Sequence, residues 1–199
     1  MVQFTAARAG YDPTTRWLHL GLALAVTYQL FISLVMEGPE PGEPLRGMDA
    51  LIFESHEWVG VAAFVLVLAH LVWSLVGPAP VRWSTMLPLR AAQWRALKAD
   101  LQSLRRLRLP WREEHSGLSA LTHALGLLAV LGSALTGFIL FLWLPENGNL
   151  PPALHTDREA HEFIATFVWI YWGGHVAIAV LHQLMGHPVF ERIRPGGRH

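Results

Sequence analysis

Histidines stand fourteen residues apart twice in this chain, His56 to His70 and His161 to His175, each pair set in a mostly apolar run. At 100° per residue, fourteen positions fall about 40° short of four full turns. Each pair therefore shares one helix face, about 21 Å apart along the axis. An ionisable side chain at membrane depth is costly and marks function. Neutral imidazole is a favoured ligand for iron. The pattern predicts two cofactors stacked across a bilayer, one near each face.

That arrangement requires the apolar runs to be membrane spans, each of about 20 mostly apolar residues. Four segments qualify, at 17–36, 58–77, 118–144 and 163–185, and none contains Asp, Glu, Lys or Arg. A soluble core helix would carry charges on its far face. Charged residues make up only 15% of the chain, against about a quarter in soluble domains. The expected fold is an all-α membrane protein, a single domain over residues 1–199 built as a four-transmembrane-helix bundle. No repeat of the solenoid kind is present.

Basic residues set the expected orientation. Arg8 and Arg16 precede the first span, eight Lys or Arg lie within 82–112, and Arg192, Arg194 and Arg198 follow the last span. The other two connections hold one each, Arg46 and Arg158, among acids that include Glu37, Glu40, Glu43, Asp49, Glu54, Glu146, Asp157 and Glu159. Positive charge is retained inside, so both termini and the 82–112 connection are expected in the cytoplasm of a bacterial inner-membrane protein. The first sixteen residues are polar and resemble no cleavable signal peptide.

The chain has no cysteine. Iron–sulfur clusters, c-type haem attachment and disulfides are thereby excluded, and a redox cofactor must be held by histidine or a weaker ligand such as methionine. Net charge is zero and the arginines cluster where topology demands them, which argues against nucleic acid. The His-Glu pairs at His56–Glu57 and His161–Glu162 are not zinc-protease motifs. Those need a second histidine four residues on, where Gly60 and Ala165 stand.

Alternating span direction sorts the histidines by depth. His56 and His161 open the second and fourth spans on the outer side and form the expected outer pair. The inner side offers His19, His70, His123, His175 and His182. A haem is a wide plate, so the residue one turn from its ligand must be small. Ala23, Gly60, Ala165 and Ala179 stand four residues after His19, His56, His161 and His175, whereas His123 is followed by Leu127. His70, with Ser74, and His182, with Gly186, pass the same test. These two and His123 are expected to contact propionates, quinone or neighbouring helices. His115, His155, His187 and His199 are expected to be solvated.

The strings "TTRWLHLGLAL" at 14–24, "ESHEWVGVAAFVLVLAHLVW" at 54–73, "GLSALTHALGLLAVLGSALTGFIL" at 117–140 and "EAHEFIATFVWIYWGGHVAIAVLHQLMGHPVFERIRPG" at 159–196 resemble the bacterial cytochrome b561 family. That family shares a superfamily with the b-type cytochrome subunits of nickel–iron hydrogenase and formate dehydrogenase. The resemblance covers nearly the whole chain and is most specific in the fourth-span histidines. It implies two non-covalent b haems with paired axial histidines, His19 with His175 for the inner haem and His56 with His161 for the outer. The connection at 82–112 is longer than in small stand-alone members.

Such haems have both axial positions filled and relay single electrons. Sites about 21 Å apart would span most of a 30 Å hydrocarbon core, an electron wire between the quinone pool (ubiquinone or menaquinone) and a redox partner. Two alternatives share these residues: a superoxide oxidase delivering electrons to quinone, and a b-type cytochrome subunit of a hydrogenase- or dehydrogenase-type complex. A histidine-lined cation transporter would also need buried carboxylates, which the spans lack. The segment "AAQWRALKADLQSLRRLRL" at 91–109 spaces Trp94, Leu97, Leu101, Leu104 and Leu107 along one face, as in an amphipathic helix on the anionic inner leaflet. The acidic outer connections suit a basic periplasmic redox protein. Membrane lipid is the remaining partner, and the oligomeric state is left open.

Overall fold

A computed structural model of the chain describes residues 10–106, 117–145 and 149–196. All its regular elements among these residues are helical: α1 (Pro13–Ile32), α2 (Gly47–Val76), α3 (Trp83–Met86), α4 (Ala91–Arg105), α5 (Gly117–Trp143), α6 (His155–Leu184) and α7 (Val189–Ile193), with 3₁₀ turns at Ala79–Val81 and Pro152–Leu154. Arg8, Leu107, Arg108, Leu109, Arg112, His115, Glu146, Arg198 and His199, which entered the sequence reading, lie outside the described residues.

Local chemistry fixes the helix ends. Asp12 caps α1 by accepting from Thr15 N–H at 3.0 Å, and Pro13 fills the first helical position, where its missing N–H costs nothing. Asp100 of α4 is buried and accepts from Leu118 N–H at 3.0 Å, so one helix caps the start of another. At the far end of α6, Gly186 takes φ +83°. Its N–H bonds Gln183 O at 3.1 Å, and His187 N–H bonds His182 O at 3.0 Å. This pair of bonds is a Schellman closure.

The long helices pack in the order α1 on α2, α2 on α5 and α5 on α6. Between α1 and α6, Trp172 Nε1 donates to Thr27 Oγ1 at 2.9 Å and Phe31 meets the Trp169 and Trp172 rings edge-on. Leu22, Val67, Ala124, Leu127, Val130 and Val168 form a buried cluster among the four. The outward faces are apolar too. Leu24, Val65, Val72, Leu128 and Phe167 are exposed, and Ile170 is 67% exposed. Water would make this a large unfavourable patch; hydrocarbon makes it the solvated surface, with backbone groups satisfied within each helix.

Among the described residues, three helical stretches are long and apolar enough to cross a membrane: Gly47–Val76, Gly117–Trp143 and Pro152–Leu184. The expected first span is not among them. Its helix stops at Ile32, before the last residues of the 17–36 segment, and Arg16, His19 and Gln29 lower its hydropathy. The second and fourth spans begin earlier than their apolar runs at 58 and 163, because helix outlasts apolarity where polar residues such as Glu54 and Glu162 reach the interface. Helix α4 appears where the amphipathic segment is expected. Leu97 and Asp100 face α5, however, while Trp94, Leu101 and Leu104 stay exposed. Its apolar face is thus divided between protein and surroundings.

Candidate functional site

Helix α6 carries His161 and His175, and each meets a histidine from another helix. His161 faces His56 of α2 with ring centroids 6.3 Å apart and planes at 88°. His175 faces His19 of α1, also at 6.3 Å, with planes at 55°. Two metal–imidazole bonds of about 2 Å in line, plus about 1.1 Å from each nitrogen to its ring centre, put coaxial ligands about 6.2 Å apart. Both pairs have the separation of two imidazoles on opposite sides of one metal.

The outer pair borders a cavity of about 470 Å³ enclosed by α1, α2, α5 and α6, within the usual range for a small-molecule site. Gly60 and Ala165, one turn after His56 and His161, line it together with Ala63 and Gly137. These small residues leave flat space beside the rings. Gly137 is required by contact, since a Cβ there would lie 3.0 Å from His161 Cε1.

Hydrogen bonds orient the outer rings. His161 Nδ1 lies 3.0 Å from Ser133 O and 3.1 Å from Thr136 Oγ1. A carbonyl only accepts, so Nδ1 carries the proton and the Nε2 lone pair remains for a metal. Gln29 Nε2 donates to His56 O at 2.8 Å. His56 Nδ1 is buried without a hydrogen-bond partner, an uncommon state for a buried ring nitrogen. Donor set, ring separation and small-residue cradle fit a plate-like cofactor that His56 and His161 would hold.

Further histidines surround the inner pair. His123 lies 5.1 Å from His175, edge-on at 86°, and its Nδ1 donates to Ser119 O at 2.7 Å. That separation is too short for in-line ligation of one metal. Tyr171 stacks on His175 at 5.4 Å and 25°. Gly126 makes room for it, because a Cβ there would lie 2.2 Å from the Tyr171 ring. His70 Nδ1 is buried without a hydrogen-bond partner. Among the described residues no cluster of three or more His, Cys, Asp or Glu is arranged around a bare metal ion; the histidines come as facing pairs.

Outside these pairs His155 is exposed beside Glu159 at 3.4 Å, as a solvated residue should be. His187 is not simply solvated. It is half-buried with its ring 5.7 Å from that of His182, because the Schellman closure folds it back. Tyr171, Gly126, Ser133, Thr136 and Gly137 escape sequence reasoning, since each acts through an interhelical contact that no spacing rule contains. Arg158 is a further such residue. Its Nη1 donates to Pro39 O and Glu40 Oε1, both at 2.9 Å, and its Nε to Glu162 Oε1 at 2.8 Å, tying the α1–α2 connection over the cavity.

Apolar helices around facing histidines define a class, the multi-pass membrane cytochromes of b type. The model of the prokaryotic cytochrome b561 family matches residues 10–196, and the chain belongs to that family, whose members bind haem b and transfer electrons in the membrane. No curated protein and no solved structure matches it.

Proposed function

We propose that this chain carries single electrons across the bacterial inner membrane through two b haems and exchanges them with quinone. His56 and His161 would hold the outer haem, and His19 and His175 the inner one, in a four-span bundle that includes α1 as its first span. The observation that supports this reading is the equal 6.3 Å ring separation of the two pairs, which share α6. A haem held by these histidines would supply one-electron exchange. The chain's own residues do the rest. Ser133 O holds the His161 proton on Nδ1, Gly60, Gly137 and Ala165 keep the ring faces clear, and the apolar helices exclude water. Both termini and α4 would lie on the cytoplasmic side, with Trp94, Leu101 and Leu104 of α4 against the inner leaflet.

A superoxide oxidase would need a cationic guide at the outer face. Arg158 is engaged by Glu40 and Glu162 at 2.9 and 2.8 Å, so its charge is largely offset there and the wire is the better supported reading. Oxidised and dithionite-reduced spectra of the purified protein, with a pyridine-haemochrome assay, test the proposal. It expects low-spin b-type bands and two non-covalent haems per chain; one haem or none would overturn the four-ligand assignment.

A further inference from the structure

We propose that His182 and His187 form a chelating site for a divalent transition-metal ion, Cu²⁺ or Zn²⁺, at the C-terminal end of α6. The site is separate from both facing pairs and does not depend on the haem reading. It arises from how the helix ends. In a Schellman closure the third residue from the helix end meets the second residue beyond the cap, and that contact is ordinarily apolar. Here the two bonds of the closure, His187 N–H to His182 O and Gly186 N–H to Gln183 O, bring two imidazoles together instead. Gly186 at φ +83° makes the reversal without side-chain strain.

The ring centroids are 5.7 Å apart and the planes are tilted by 57°. A metal about 3.1 Å from each centroid, the sum of a 2 Å bond and the ring radius, would see the two ligands at an angle of about 134°. That is an opened tetrahedral angle, unlike the in-line arrangement of the 6.3 Å pairs. Both residues are half-buried rather than sealed, so an ion can enter and water can complete its coordination. The carbonyl end of α6 carries partial negative charge, which favours a cation. Imidazole donors bind Cu²⁺ above Zn²⁺ and Ni²⁺ in the usual order of affinities.

The test uses the full chain in detergent, titrated with Cu²⁺ and followed by electron paramagnetic resonance. The wild type should show hyperfine coupling to two imidazole nitrogens, and Cu²⁺ should displace Zn²⁺ bound beforehand. His187→Leu restores the ordinary apolar partner of the closure, so the fold is retained, while one ligand is lost. Affinity should fall by roughly tenfold or more, at least the loss that follows removal of an outer-shell partner, and two-nitrogen coupling should disappear. His182→Leu should do the same. Unchanged affinity and coupling in His187→Leu would overturn the proposal, as would loss of the ion from His155→Ala while His187→Leu retains it. A wild type that binds no copper in this titration would overturn it as well.

Discussion

Gly137 of α5 and His161 of α6 are so close that the smallest possible side chain on the glycine would lie 3.0 Å from His161 Cε1. Gly126 and Tyr171 stand in the same relation at 2.2 Å, and Tyr171 in turn stacks on His175. The two glycines therefore govern different pairs. Gly137→Val should displace His161 and diminish the outer haem alone, whereas Gly126→Leu should drive Tyr171 off His175 and disturb the inner one. Haem content and redox titration of each variant decide this; equal loss of both haems in both variants would contradict it.

Partner histidines should act together. His56→Ala and His161→Ala should remove one and the same haem, and His19→Ala and His175→Ala the other. His123→Ala should leave two haems, since its ring lies 5.1 Å from His175, too near for in-line ligation. If His70→Ala empties the inner site while His19→Ala keeps it, the inner pair has been misassigned.

Quinol should reduce one haem rapidly, with the second following through it. If both irons are held by paired histidines as proposed, electrons would enter at a haem edge, and a quinol is a hydrophobic two-electron carrier soluble in a bilayer. Stopped-flow mixing with a soluble quinol analogue, followed at the α-band, reads this directly. Haems that stay oxidised with quinol but are reduced by superoxide would favour the oxidase.

Arg158→Ala should release the segment around Pro39 and Glu40 from the mouth of the outer cavity. The ion pairs are partly exposed, so the stability cost should stay below about 1 kcal/mol. Amide hydrogen exchange should nevertheless quicken at residues 37–46. Unaltered protection there would mean that Arg158 is not what holds the loop.

Asp12 gives the α1 cap an acid limit. Burial alone would raise its pKa, but hydrogen bonds from the Thr15 hydroxyl and backbone N–H outweigh this and hold it below the usual carboxylate value. A lowered folded-state pKa contributes stability that is complete at neutral pH and lost as pH falls through that value, below about pH 4. Asp12→Ala should cost about 1 kcal/mol. Asp12→Asn should keep most of the cap while flattening the acid side of the stability profile, and an unchanged acid limb would show that other groups set it.

The His56–His161 pair was legible because helical periodicity and depth are one-dimensional properties, whereas depth left five candidates for the inner pair and only the family resemblance singled out His19 with His175. Fourteen residues of spacing need no tertiary information, and neither do Gly60 and Ala165 one turn beyond their histidines. What surrounds the rings was not legible. That Ser133 O meets His161, or that Gly126 yields to Tyr171, depends on the rotation of α5 against α6, which apolar composition leaves free. The first helix was overextended because the apolar residues Leu34, Val35 and Met36 lie beyond its end at Ile32. The His182–His187 contact was within reach of local rules, since a glycine just past a helix end predicts the closure that brings them together.

Both facing pairs draw one member from α6, a single helix, while their partners come from α2 and α1. The gap between the two sites is therefore quantised. Inserting one residue between His161 and His175 would swing one imidazole by about 100° and vacate a single site. Only changes of about a whole turn, to spacings near eleven or eighteen residues, would return both rings to a common face. The distance between the sites can change only in steps of about 5 Å, however freely α1 and α2 vary.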